Sequence, residues 1–332
     1  MDNGLEVTLE AVGRMRDILL LDMRGKTAYS NGHIDGAVCC QKDEVYPKDK
    51  PLVFYCQYGK QSLKLAEKYR SAGYEAYSLS GGYGAWLLSC CNALDSDELE
   101  RYDRQIILRQ LGINGQQKLK RSRVLIIGAG GLGCPCGMYL AGAGVGNIGI
   151  IDHDTVSLSN LNRQTAHRII GENKALSLKS TLEAVNDRIT VTAYPYSFSA
   201  ENAAEILSGY DFVIDCCDSA ETKFLINDMC VKFGKPFCYG GVIGFEGQVM
   251  TVIPSKTIDL RYIFGEAPTE CETCSSYGII GAAAGAIGCI QALETIKYII
   301  GSDELTTDKM FIFDMLSLKS RIVDFRRNKN KE

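Results

Sequence analysis

Val124-Leu-Ile-Ile-Gly-Ala-Gly-Gly-Leu-Gly-Cys134 is four apolar residues running straight into a turn with four glycines, Gly128, Gly130, Gly131 and Gly133. The apolar run reads as a buried strand, and the residues up to Ala143 have helical spacing. Glycines at a strand-to-helix turn let the backbone approach a phosphate. The helix start adds unpaired N–H groups and the positive end of the helix dipole. A second strand, Asn147-Ile-Gly-Ile-Ile-Asp152, ends in an acid 24 residues after Gly128, where a ribose hydroxyl would be held. Strand, glycine turn, helix and acid in that order predict a nucleotide site on a doubly wound α/β sheet.

The candidate ligands of that site follow along the chain. Asp152-His-Asp-Thr-Val-Ser-Leu-Ser-Asn-Leu-Asn-Arg-Gln164 gathers Asp152, Asp154, Asn160, Arg163 and Gln164 where open α/β sheets bind ligands. Lys174 starts the next helix within reach of phosphates. Asp211-Phe-Val-Ile-Asp-Cys-Cys217 is another strand and delivers Asp218, a carboxylate suited to Mg²⁺ opposite phosphate oxygens. These residues leave both a triphosphate and a dinucleotide open as the nucleotide.

Composition narrows the classes further. The chain has 332 residues, 46% hydrophobic, with a net charge of −4, and carries no basic run, so nucleic acid is not an expected partner. No secretory signal pattern and no uninterrupted apolar run of membrane length are visible, which predicts a cytoplasmic protein with no membrane partner. Fourteen cysteines, with the neighbouring pairs Cys39-Cys40, Cys90-Cys91 and Cys216-Cys217, read as reduced thiols rather than a disulfide framework.

Upstream, Pro51-Leu-Val-Phe-Tyr55 is a strand that delivers Cys56 into the loop Cys56-Gln-Tyr-Gly-Lys-Gln-Ser62, and an amphipathic helix follows. Successive N–H groups and a helix start stabilise a thiolate there, so Cys56 is expected to be reactive. The polar stretch Asp95-Ser-Asp-Glu-Leu-Glu100 is the expected junction, dividing the chain into domains 1–95 and 96–332.

Two resemblances emerge from these residues. Asp22-Met-Arg24, Gly32-His-Ile-Asp-Gly-Ala37, Cys56-Gln-Tyr-Gly-Lys-Gln-Ser62 and Gly81-Gly-Tyr-Gly-Ala-Trp86 together resemble a rhodanese-like domain. The resemblance implies a small α/β domain whose Cys56 carries a persulfide. Gln61 stands where many rhodaneses have arginine. This weakens the case for thiosulfate and leaves room for a persulfide-donating cysteine desulfurase as a further partner.

Arg101-Tyr-Asp-Arg-Gln105, Gly128-Ala-Gly-Gly-Leu-Gly133, Asp152-His-Asp154, Ser159-Asn-Leu-Asn-Arg-Gln164, Asp215-Cys-Cys-Asp218, Glu246-Gly-Gln248 and Gln291-Ala-Leu-Glu294 resemble the ThiF–MoeB–HesA family. These are relatives of the ubiquitin-activating enzymes. The resemblance implies a doubly wound, Rossmann-like homodimer. Such an enzyme adenylates the C-terminal glycine of a ubiquitin-like sulfur-carrier protein ending in Gly-Gly, using ATP and Mg²⁺. Carried over, the glycine turn holds phosphates, Asp152 the ribose, Asn160, Arg163 and Lys174 the triphosphate, and Asp218 the metal. Arg104 would reach the partner subunit's site.

Many relatives bind zinc through two Cys-x-x-Cys pairs. The first pair falls here on Asp259 and Tyr262, and the tail has no cysteine, so no zinc is expected. Cys274 aligns with the family's loop cysteine and is read either as a second thiol in sulfur transfer or as a spectator; Cys271 is the lesser candidate. The function expected is carrier adenylation coupled to sulfur transfer from Cys56. The alternative is an adenylyltransferase whose rhodanese module only binds sulfur or docks a partner.

Overall fold

The computed structural model describes residues 4–40, 45–90, 94–266 and 277–326. The chain forms two compact units, Met1–Gln117 and Lys118–Glu332.

The first unit is built on five parallel strands: β1 (Glu6–Val7), β2 (Leu19–Asp22), β3 (Val38–Cys39), β4 (Leu52–Tyr55) and β5 (Ala76–Leu79). Their order is β1-β5-β4-β2-β3. A strand's side chains alternate between faces. Leu20, Val53 and Tyr55 accordingly enter one apolar cluster, while Leu21, Leu52 and Phe54 enter another on the opposite face. Both faces are covered, so β4 is buried throughout and reads as a continuous apolar run. This placement puts Cys56 at the carboxyl end of the central strand.

The stretch after residue 94 belongs to this unit rather than forming an open linker. Asp95 accepts from the Glu98 backbone N–H at 2.9 Å, and Glu98 reaches back to the Asp95 N–H at 3.0 Å. That capping box starts the helix Ser96–Arg101. Leu94, Leu99, Tyr102 and Ile106 then join the cluster that holds Leu20 and Tyr83.

The second unit carries β6 (Arg123–Ile127), β7 (Asn147–Ile151), β8 (Thr190–Tyr194), β9 (Phe212–Asp215), β10 (Phe237–Ile243), β11 (Glu246–Val252), β12 (Lys309–Asp314) and β13 (Lys319–Asp324). The sheet order is β13-β12-β11-β10-β9-β6-β7-β8. From β8 to β10 neighbouring strands are parallel, and from β10 to β13 they are antiparallel. The connection after β6 leads to β7 on one side, and the chain later returns to place β9 on the other. The ends of β6 and β9 therefore frame a topological switch point, where such sheets bind ligands.

The helix Gly281–Ile300 has the length and hydropathy of a membrane span. It packs on the helix Gly133–Ala143 and on β10 and β11. Gln291, Glu294 and Thr295 are buried on it, and the Glu294 carboxylate accepts from the Thr251 hydroxyl at 2.6 Å and the Thr306 N–H at 2.9 Å. Those contacts make it a core helix of the sheet.

Candidate functional site

A cavity of about 960 Å³ opens at the switch point. Its floor is the glycine turn after β6. Gly128 has φ +99°, and a Cβ there would lie 2.6 Å from the Cys216 carbonyl oxygen. A Cβ on Gly133 would collide with the Gly128 carbonyl. Gly128, Gly130 and Gly131 line the cavity, whereas Gly133 sits behind it as the packing residue of the turn. Cys134 is fully buried, with its thiol pushed up to about 12 by burial, in keeping with a packing role.

Asp152, just past β7, braces this floor. Its carboxylate accepts from the Ala129 N–H at 2.7 Å and the Asp154 N–H at 2.8 Å. Asn173 caps the helix Lys174–Val185 and donates to the Asp152 and Asp154 carbonyls. Lys174 is buried with its ammonium 2.9 Å from Asp154, and that hydrogen bond holds the Asp154 carboxyl below its ordinary range.

Arg163 and Gln164 also line the cavity. The Arg163 guanidinium donates to the Ser159 carbonyl at 2.8 Å, and Gln164 Oε1 is buried with no hydrogen-bond partner among the described residues. Asn160 is not among the lining residues; its amide oxygen accepts from the Ser157 N–H at 3.1 Å and closes a short turn. Arg104 lies in the first unit, on the helix Asp103–Ile106, with its side chain 90% exposed. Cys271 and Cys274 fall outside the described residues.

An ion pair that the sequence reading did not single out lies beneath the cavity. Asp215, at the end of β9, is fully buried, and Lys223 reaches it at 3.1 Å while donating to the Gly240 carbonyl at 2.5 Å. Burial pulls the Lys223 ammonium down, but Asp215 and Tyr239 more than offset this and leave it above its ordinary range. Burial in turn raises the Asp215 carboxyl. Gln291 donates to the Asp215 carbonyl at 2.7 Å, and Gln248 donates to the Tyr239 hydroxyl at 2.6 Å.

The acids lining the cavity differ in their commitments. Asp152 bonds backbone N–H groups, Asp154 bonds Lys174, Glu266 pairs with Arg261 at 3.1 Å and Glu246 lies 3.7 Å from Arg321. Asp218 lines the cavity, is exposed, and has no hydrogen bond or ion pair among the described residues. A hard divalent cation beside phosphate oxygens fits that uncommitted carboxylate. Asp259 accepts from the Tyr262 N–H at 3.0 Å, capping the short helix Leu260–Phe264.

The thiol site stands in the first unit. Cys56 is 5% exposed, and its sulfur accepts from the Gln61 N–H at 3.3 Å and the Ser62 hydroxyl at 3.5 Å. Burial raises the thiol, yet hydrogen bonds from the Ser62 hydroxyl and from the Ser62, Tyr58 and Gln61 backbones outweigh it and hold Cys56 below its ordinary value. Gly59, at φ +84°, turns the loop against the Leu79 carbonyl and the Gly81 N–H. From the other side, Tyr83 N–H bonds the Cys56 carbonyl at 2.9 Å and Gly84 N–H bonds the Gln57 carbonyl at 3.0 Å.

Fold and pocket together define a class: a doubly wound α/β unit with a glycine-floored cavity at its switch point, preceded by a smaller α/β unit presenting a cradled thiol. The chain belongs to the ThiF family, whose model matches residues 102–332, and a rhodanese-like domain matches residues 8–89. It is 43% identical over 230 residues to the adenylyltransferase and sulfurtransferase MOCS3 of Aedes aegypti, covering 68% of this chain and 53% of that protein. To the Arabidopsis thaliana protein of the same name it is 41% identical over 239 residues, covering 71% and 52%. The chain thus spans about half the length of the curated relatives it matches.

Among solved structures, that of PaaA is 25% identical with a TM-score of 0.61, covering 71% of this chain and 76% of that one. Escherichia coli MccB with ATP is 22% identical with a TM-score of 0.59, covering 68% and 71%, a likeness of fold.

Proposed function

We propose that this chain uses ATP to adenylate the C-terminal carboxylate of a ubiquitin-like sulfur-carrier protein and passes it sulfur from a Cys56 persulfide, leaving a thiocarboxylate. One observation carries the reading. A cavity floored by the glycine turn and lined by Arg163, Lys174 and an uncommitted Asp218 shares a chain with a thiol held below its ordinary pKa.

In the first step the carrier carboxylate attacks the α-phosphorus, forming an acyl-adenylate and releasing pyrophosphate. Arg163 and Lys174 stabilise the charge that builds on the phosphate oxygens, and the glycine turn admits them without side-chain obstruction. Asp218 would hold Mg²⁺, which supplies further neutralisation of those oxygens. Roles for Asn160 and for Arg104 across a homodimer rest on the family resemblance.

In the second step the terminal sulfur of the Cys56 persulfide attacks the acyl carbonyl and AMP leaves. The product is an acyl-disulfide between carrier and Cys56. A thiol, Cys274 or an external one, then attacks the Cys56 sulfur. A new disulfide forms and the carrier leaves as thiocarboxylate, so two thiol electrons reduce the S–S bond. Housing donor and activated acceptor in one chain raises their effective concentration.

ATP–pyrophosphate exchange with carriers ending in Gly-Gly, followed by mass spectrometry of the carrier, tests both halves. Exchange together with a gain of one sulfur that Cys56→Ala abolishes is the expected result. Exchange without sulfur gain would reduce the first unit to a docking module. No exchange with any carrier would overturn the adenylation reading.

A further inference from the structure

The glycine turn after β6 is also held from behind. Ala129 stands in it between Gly128 and Gly130 and is fully buried. Its N–H donates to the Asp152 carboxylate at 2.7 Å, and its carbonyl oxygen lies 2.8 Å from His167 Nε2. A carbonyl only accepts, so Nε2 carries the proton and donates. The Cys134 thiol lies 3.5 Å from the same oxygen, but a thiol is a weak donor.

His167 is 2% exposed and lies behind the cavity rather than among its lining residues. Burial holds its imidazole below its ordinary range, so the ring is neutral near pH 7. With the proton on Nε2, Nδ1 is a buried acceptor that has no hydrogen-bond partner among the described residues. Such an orphan costs stability that an apolar side chain would not. What histidine supplies here is the bond to Ala129. The segment carrying the ring is itself anchored. The His167 N–H donates to the Gln164 carbonyl at 3.1 Å, and the Thr181 hydroxyl donates to the Ala166 carbonyl at 2.8 Å.

That bond decides where the next N–H points. The Ala129–Gly130 peptide is trans. Across a trans peptide the C=O and N–H point in opposite directions. With the carbonyl turned back to His167, the Gly130 N–H is directed away from the ring. Gly130 lines the cavity, and its N–H donates to no group among the described residues.

We propose that His167 is a positioning residue of the nucleotide site: by holding the Ala129 carbonyl it turns the Gly130 N–H toward a phosphate oxygen of the ligand. The proposal deepens the ATP reading above and rests on it. Gly130 and His167 then serve one peptide, the first leaving it open and the second fixing its direction.

The experiment is calorimetric titration of the full chain with Mg²⁺–ATP and, separately, with adenosine, which has the base and ribose but no phosphate. In His167→Leu the Kd for ATP is expected to rise about 10-fold, while that for adenosine changes by less than about 2-fold. His167→Gln can bring an amide N–H to where Nε2 stands and should bind ATP within about 3-fold of wild type. His167→Asn falls a bond short and should resemble His167→Leu. This contrast between two amides carries the test should the leucine variant fail to fold. Unchanged ATP binding in His167→Leu or His167→Asn, an equal loss for ATP and adenosine, or no recovery in His167→Gln would overturn the proposal. A wild-type chain that does not bind ATP would instead overturn the ATP reading itself.

Discussion

The loops Cys56–Ser62 and Gly128–Gly133 are both strand-to-helix turns at the carboxyl end of a parallel strand, yet they are finished differently. The first closes its N–H groups and one hydroxyl around an atom the chain owns. The second is kept clear by glycines and ringed by cations and acids, with Lys174 on Asp154 and Lys223 on Asp215. A single negative charge on sulfur is satisfied by backbone dipoles. A polyphosphate that must come and go needs mobile access and full charges around it.

The sharpest way to break this comparison is to remove the atom that the first loop is built around. Cys56→Ala should drop carrier sulfuration to background while ATP–pyrophosphate exchange continues, measured in the same reaction mixtures. Loss of both activities would mean that the two loops are not chemically separate.

The next effect is on stability. Lys223→Met leaves the fully buried Asp215 carboxylate without its counter-charge, an arrangement that typically costs about 3–5 kcal/mol. Urea denaturation should show the loss in the midpoint, and a companion Lys223→Met/Asp215→Leu double variant should recover part of it. No recovery would show that Lys223 acts through Gly240 rather than through the pair. Gly128→Ala ranks below this. A side chain at φ +99° and 2.6 Å from the Cys216 carbonyl should cost about 1–3 kcal/mol and weaken nucleotide binding, both measurable by calorimetry.

The two loops also differ in how far the sequence revealed them. The strand, glycine turn and Asp152 were legible because only glycine fits the turn and the spacing is local. Cys56 was legible for the same reason. Lys223 was not, because a lysine within the helix Ala220–Lys232 reads as a solvent charge until β9 brings Asp215 beneath it. Asn160 was expected among the phosphate ligands; its amide oxygen accepts from the Ser157 N–H in a local turn and the residue lies outside the cavity lining, a placement the spacing alone did not reveal. The helix after Asp95 hid behind a polar composition, although the Asp95–Glu98 spacing is itself a capping-box signal.

The smallest predicted effect refines what holds the thiolate. Ser62 has one hydroxyl proton and two candidate acceptors, the Gly59 carbonyl at 3.0 Å and the Cys56 sulfur at 3.5 Å. The shorter contact is to the carbonyl, so the hydroxyl is expected to turn toward sulfur as the thiol ionises. Cys56 lies below its ordinary pKa because these donors favour the charged form, and that benefit is present above the midpoint and lost as pH falls through it. Ser62→Ala should therefore move the pH midpoint of Cys56 alkylation by iodoacetamide upward and slow the reaction near neutrality by a few-fold, read by mass spectrometry on the Cys56 peptide. At a pH above both midpoints the two proteins should react alike. A shift much larger than one unit would make the hydroxyl, rather than the backbone N–H groups, the main support of the sulfur, and the first loop would then depend on a side chain as the second does.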